Sequence, residues 1–448
     1  MVNNISSFGI TGRTVSSKGK TENVQKYEQE QTSSAQTCSY KNVKAYQTGF
    51  NNTLKTADVC KKYNEIKAQL DPETRVMMNK LLQSGVLLNN DSNDGSSVLD
   101  NLHKIVSEPR IKGLDSSKLL KETINTIYNP ASITQRFGDV PENVANAVSR
   151  HPELGILSKS ELDIGNESGT CVVASVEFNL AQKHPAEFAR MTAGLSSEDF
   201  CVTKHLPLSS IAATKEDAFY LLDNFKIPYQ KTGEDAVNVK IQPDRNAIIR
   251  ARVQTSYKDP GERSVVDVLM QSALINVGSQ NTYNSLNDTR ATGKFSNENK
   301  GLAPFEANFI ENITSEEYKN TITYHELDEN HKITGRICDL ETIQNHLLNT
   351  LQNGENVIIG YVNINDNNEV ISGHEMTVTN AFKTPNNEII FSLNDTNNEG
   401  EEPFYISAEE LLPRVAHATI SDEALGGTDV PKIADWIEYF KRYADAQS

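Results

Sequence analysis

Ser372-Gly-His-Glu-Met-Thr-Val-Thr-Asn380, followed after a short polar turn by Ile389-Ile-Phe-Ser-Leu-Asn-Asp395, is the stretch on which the fold turns. Both halves are rich in β-branched and apolar residues, and Thr384-Pro-Asn-Asn387 between them has turn composition, so Glu375 to Phe382 and Glu388 to Asn394 read as two antiparallel strands, with His374 at the mouth of the first. Successive strand side chains point to opposite faces, which puts Ile389, Phe391, Leu393 and Asp395 together and Ile390, Ser392 and Asn394 together. An inward Phe391/Leu393 face carries Asp395 toward His374, and Asn394 stands as the alternative acceptor.

Just upstream, Val357 to Ile364 is an apolar strand joined to the first pair by Asn365-Asp-Asn-Asn-Glu369, which makes a three-strand meander. A helix over Asp339 to Leu351 precedes it. Toward the N-terminus the pattern becomes helical: Thr56 to about Leu70, Pro72 to Gln83, Ser116 to Tyr128, Pro141 to Arg150, Ser168 to Lys183, Pro185 to Thr192, Lys215 to Phe225 and Ser264 to Val277. Asp71 is placed as an N-cap, with Pro72 at the first helical position and Gly85 beyond the end. Gly278 to Gly301, rich in Asn, Ser, Thr and Gly, reads as a long surface loop. Ser407 to Val415 and Lys432 to Ala444 read as closing helices, the latter with Ile433, Trp436, Ile437 and Phe440 on one face. The expected class is α+β: a polar tail over 1–55, a helical segment over 56–135, a main body over 136–425 and a C-terminal amphipathic helix over 426–448.

The 448 residues suit two or three units at roughly 150 residues each. Sixty acidic against 43 basic residues give a net charge of −17, a field that repels phosphate backbones and anionic lipid headgroups. Neither nucleic acid nor a membrane is therefore an expected partner, and no run approaches the roughly 18 apolar residues of a span. The first 30 residues lack the apolar stretch of a secretory signal, so the expected location is cytoplasmic, or outside the cell by a route without a classical signal peptide. Cys38, Cys60, Cys171, Cys201 and Cys338 are scattered without a CxxC pair, which argues for reduced thiols and against a structural zinc site.

Ser168-Gly-Thr-Cys-Val-Val-Ala-Ser175 sets Cys171 in the first turn of an apolar helix. Unpaired N–H groups and the positive end of the helix dipole stabilise a thiolate there. A cysteine on an apolar helix is by itself more often core packing. A nucleophile also needs a base and the base an orienting acceptor, which His374 with Asp395 or Asn394 would provide. The other clusters fall short. Asn90-Asp-Ser-Asn-Asp-Gly95 resembles a calcium loop but has Asn101 where the bidentate Glu belongs, and reads as a turn. His325 and His331 are six apart where a helical zinc pair needs four, and Cys201 and His205 lack a supporting strand pattern. No metal and no cofactor is expected.

The order Cys171, His374, Asp395 and the motifs around them resemble papain-like cysteine peptidases in the broad sense, including the papain family and the bacterial double-glycine leader peptidases. Gly-Thr-Cys171-Val-Val-Ala-Ser is similar to that family's Gly-Ser-Cys-Trp-Ala-Phe-Ser helix start, Gly-His374-Glu-Met to its His strand, and Leu393-Asn-Asp395-Thr to the strand end of the leader peptidases. The resemblance spans about residues 165–415. It implies a helical lobe carrying the nucleophile and an antiparallel sheet or barrel carrying His and Asp or Asn. Its implied activity is a thiol peptidase on protein or peptide substrates, with transglutaminase or deamidase chemistry on the same triad as the alternative. A non-catalytic papain-like binding protein is the further alternative. The chain departs from the family at Gly165, where a Gln usually supplies the oxyanion hole, so Asn166 is the amide expected to replace it, and at Val172, where an aromatic is usual. The helices between Thr56 and Tyr128 are expected either as structure or as a pro-segment over the cleft, and the N-terminal region as a possible protein-partner contact.

Overall fold

In the computed structural model the described residues are 52–136, 150–151, 155–156, 168–256, 262–286, 288–290, 301–328, 332–397 and 403–427. The tail expected over 1–55 up to residue 51, Asn166, His331, the helix expected over Lys432 to Ala444 and most of that over Pro141 to Arg150 lie outside them. Arg150 itself pairs with Ile156 in a two-residue ladder.

The first four helices among the described residues each begin where a side chain takes up an orphan N–H. These are α1 (Ala57–Ala68, capped by Thr56), α2 (Pro72–Gln83, capped by Asp71), α3 (Val98–Ser107) and α4 (Ser116–Tyr128, capped by Asp115). Gly85 follows α2 at φ +86°, a left-handed position that glycine adopts without steric cost. Helix α3 was not anticipated, although Ser97 and Asp100 form a reciprocal capping box and Leu99, Leu102 and Ile105 are buried along one stripe.

Next come α5 (Cys171–Lys183) and α6 (Pro185–Leu195). The block after them, expected as mostly helical, also contains a sheet. Strands β1 (Val202–Pro207), β2 (Tyr229–Lys231) and β3 (Ala236–Ile241) form an antiparallel sheet in the order β1-β3-β2, with α7 (Lys215–Asn224) between β1 and β2. Lys204 hides β1 in the sequence, because it is fully buried at an inward position where alternation calls for an apolar residue. Its ammonium is met by Glu187 and Glu316, each at 3.1 Å, and by the Thr314 carbonyl at 2.8 Å. Helices α8 (Ala247–Ser256), α9 (Val265–Gly278) and α10 (Pro304–Ser315) complete this half; all 14 residues of α9 are buried.

One apolar cluster runs through these helices and includes Leu102, Leu120, Phe188, Leu269, Ile310 and Cys171 itself. The segment expected as separate over 56–135 thus shares its core with the helix that carries Cys171.

The second half is a six-stranded antiparallel sheet, with β5 (His325–Leu327) and β6 (Ile333–Arg336) as a side hairpin and α11 (Leu340–Gln352) packed on it. The sheet strands are β4 (Asn320–Thr323), β7 (Val357–Ile364), β8 (Val370–Lys383), β9 (Ile389–Asn394), β10 (Phe404–Ser407) and β11 (Val415–Ile420), in the order β10-β9-β8-β7-β11-β4. Ile343, Leu347, Val357, Ile359, Val378, Phe391, Leu393 and Ile420 form its core.

The helix expected over Ser407 to Val415 is only Ala408–Leu411 and a 3-10 turn, Leu412–Arg414. Pro413 cannot donate to a helical ladder, and Val415-Ala-His-Ala-Thr-Ile420 enters the sheet between β7 and β4. The close approach is at Gly360, where a Cβ would lie 2.1 Å from the His417 ring. A helical body and an antiparallel sheet make the chain α+β.

Candidate active site

The first turn of α5 is fixed by buried polar groups on both sides. The Gly169 N–H donates to Asp288 Oδ2 at 2.9 Å, and Asp288 Oδ1 accepts from the Tyr283 hydroxyl at 2.6 Å. The buried Arg263 guanidinium donates to Ser168 Oγ at 2.6 Å and to Thr170 Oγ1, and also to the Gln135 carbonyl at 2.8 and 3.0 Å. Thr170 Oγ1 in turn donates to Gln271 Oε1 at 3.1 Å, while Gln271 Nε2 reaches Glu177 and the Thr134 carbonyl, each at 2.9 Å. The Thr170 hydroxyl is taken up by these partners and does not cap α5, whose first turn carries Cys171.

His374 sits inside β8, opposite Tyr361 of β7, and not at the start of a shorter strand. Its Nε2 is 2.7 Å from Asp395 Oδ1, just past the end of β9, and the same oxygen accepts from the Asn397 N–H at 2.9 Å. Cys171 lies close enough to this imidazole to favour its protonated form, after Asp395. With Nε2 engaged by Asp395, Nδ1 is the nitrogen left for sulfur. Burial by itself lowers the His374 pKa; the Asp395 charge and hydrogen bond, together with Cys171, outweigh it and hold the imidazole well above its ordinary value. Cys171 has no exposed surface, and the His374 and Asp395 side chains are 18% and 12% exposed.

Three of the residues singled out in the sequence are therefore brought together: His374 is bonded to Asp395, and Cys171 acts on the same imidazole. Asn394 is not among them: it pairs across from Thr377, and its buried Oδ1 has no hydrogen-bond partner among the described residues. Asn166 lies outside the described residues. Gln135, Arg263 and Asp288 are the site residues that the sequence did not disclose. Gln135 accepts at Oε1 from Thr396 Oγ1 at 3.1 Å, and its N–H and the Thr134 hydroxyl both donate to the Thr396 carbonyl at 3.0 Å. Residues 134–135 thus join the chain beside Asp395 to the Arg263 clamp on α5.

Elsewhere, His205 bonds Asn238 Oδ1 at 3.0 Å. His325 is buried, and burial followed by the nearby Arg336 charge lowers its pKa to about 4. In the Asn90–Gly95 turn, Asp91 accepts from the Ala186 N–H at 2.9 Å and Ser92 donates to Asp94 at 2.9 Å. Among the described residues no three His, Cys, Asp or Glu side chains converge as metal ligands do, and no helix is long and apolar enough to cross a membrane. Comparison of the chain with protein-family models, curated proteins and solved structures returns no match.

Proposed function

We propose that the chain is a cysteine-dependent hydrolase of papain-like type acting on amide bonds, most readily those of peptides. The observation that carries this is the bonded His374–Asp395 pair, with Cys171, in the first turn of α5, acting on the same imidazole. The division between a helical body holding the cysteine and an antiparallel sheet holding the histidine and carboxylate supports the papain-like assignment, as do the motifs around Cys171 and His374.

In this reading the proton of the Cys171 thiol resides on His374, and Asp395 keeps the imidazolium oriented. Sγ attacks the carbonyl carbon, the C=O electron pair moves to oxygen, and the Cys171 N–H meets that charge, with Asn166 as the proposed second donor. His374 then passes its proton to the leaving nitrogen as the C–N bond breaks, which leaves a thioester. The neutral imidazole takes a proton from water, hydroxide adds to the thioester carbonyl, and collapse releases the acid and restores the thiol. An amine in place of water gives acyl transfer, and a glutamine side chain in place of the peptide bond gives deamidation. A papain-like body that only binds a partner is favoured by one observation, the complete burial of Cys171.

Incubation of the full chain and its Cys171→Ala variant with protein and peptide mixtures, read by mass spectrometry, separates these. New termini from wild type alone support the peptidase; amine adducts or a gain of about 1 Da at glutamine point to the related chemistries. No product of any kind, with partner capture equal in both proteins, overturns the enzymatic reading.

A further inference from the structure

Gln135 lies between the residue that precedes Cys171 and the residue that follows Asp395. On the first side its carbonyl accepts from Arg263 Nη2 at 2.8 Å, and the same nitrogen donates to Ser168 Oγ at 2.6 Å and to Thr170 Oγ1. On the second side its N–H donates to the Thr396 carbonyl at 3.0 Å, and its Oε1 accepts from Thr396 Oγ1 at 3.1 Å.

Backbone N–H, carbonyl and Oε1 are thus all committed, and they set where the remaining group can go. A side-chain amide is planar, so anchoring Oε1 on Thr396 fixes the direction of Nε2. Gln135 is 4% exposed, yet its Nε2 has no hydrogen-bond partner among the described residues and is not sealed from solvent. The N–H groups of a buried amide nearly always find partners. Here two of them are left over on an otherwise fully held residue, at the seam between the helix of Cys171 and the strand end of Asp395.

Addition of a thiolate to a carbonyl creates a need for such a donor. The C=O electron pair moves onto oxygen, and the Cys171 N–H alone leaves most of that oxyanion unmet. A donor held in place before the reaction is worth more than one that must turn toward the charge as it forms.

We propose that Gln135 is a further catalytic residue of the thiol centre, whose Nε2 donates to the carbonyl oxygen of the substrate and holds the negative charge formed when Cys171 adds. This rests on the hydrolase reading and is independent of Asn166. Gln135 exchanges no proton: the Sγ–C bond forms as the electron pair reaches oxygen, and the pair returns as the bond to the leaving group breaks.

Two reagents separate this role from positioning of the thiol. p-Nitrophenyl acetate acylates a cysteine through a tetrahedral oxyanion and expels nitrophenolate, whereas iodoacetamide alkylates sulfur by displacement of iodide and forms no oxyanion. Both reactions are followed at Cys171 by mass spectrometry in the full chain, in wild type, Gln135→Met and Gln135→Glu; the last keeps an oxygen for Thr396. The ratio of acylation rate to alkylation rate is expected to fall by about tenfold or more in both variants. Acylation of wild type with an unchanged ratio in the variants overturns this assignment alone, and two rates that fall together mark a residue that only positions the thiol. Wild-type Cys171 that is not acylated at all overturns the hydrolase reading and this assignment with it.

Discussion

His374 owes its charge to its neighbours, and that makes its role separable from packing. Its pKa is raised in the folded chain, so protonation favours folding. This contribution is complete below the unfolded value of about 6.5 and disappears as pH rises through the raised folded value. Urea unfolding between pH 6 and 9 should therefore show a fall in wild-type stability with rising pH that is absent in His374→Gln; parallel curves would refute the pairing. Asp395→Asn removes the charge while keeping the shape, and is predicted to slow alkylation of Cys171 at neutral pH by about tenfold or more. Asn394→Ala should leave that rate within about twofold, because Asn394 does not face the imidazole. Strand alternation alone had pointed to Asp395, since Phe391 and Leu393 are buried on its face. Gln135 and Arg263 were illegible for the opposite reason: they act over sequence distances for which no local period exists.

At the level of elements, β11 shows how tertiary contacts decide what local pattern leaves open. The strands β7 to β9 were readable because apolar runs alternate with Asn-rich turns. Val415–Ile420, by contrast, follows a proline-containing turn that reads as the tail of a helix. Likewise β1 was concealed by Lys204, whose inward ammonium is tolerable only because Glu187 and Glu316 arrive from other elements. The seating of β11 against β7 requires the missing side chain at Gly360. His417 occupies that space and bonds Glu375 Oε1 at 2.8 Å. Gly360→Ala must displace the His417 ring and break this pair, for an expected loss of about 1–3 kcal/mol. A lower urea midpoint at unchanged m-value would report it, and an unaltered midpoint would deny the contact.

For the whole molecule, the decisive feature is that α1 to α4 complete the core behind Cys171. Leu99, Leu102, Leu119, Leu120 and Ile124 are at most 1% exposed within the same cluster as Val172, Val173 and Phe188. Removal of residues 1–135 would expose that face of α5, α6 and α9, and also remove the Thr134 and Gln135 ties to Thr396 and Arg263. The truncated chain is predicted to lose cooperative unfolding by circular dichroism. A folded truncation with faster thiol chemistry would instead restore the pro-segment view. The sequence exposed the helices of this region but not their destination, because an amphipathic stripe states that a face is buried without naming its partner.

The proposed hydrolase chemistry requires Cys171 and His374 to form an ion-pair-capable couple at the start of α5. Its most direct test is the pH dependence of iodoacetamide alkylation at Cys171 in the full chain, followed by mass spectrometry in wild type and His374→Ala. Alkylation at neutral pH at least tenfold faster in wild type than in the variant is the predicted result. Equal protection of Cys171 in both proteins, or ordinary thiol behaviour in both, would contradict it.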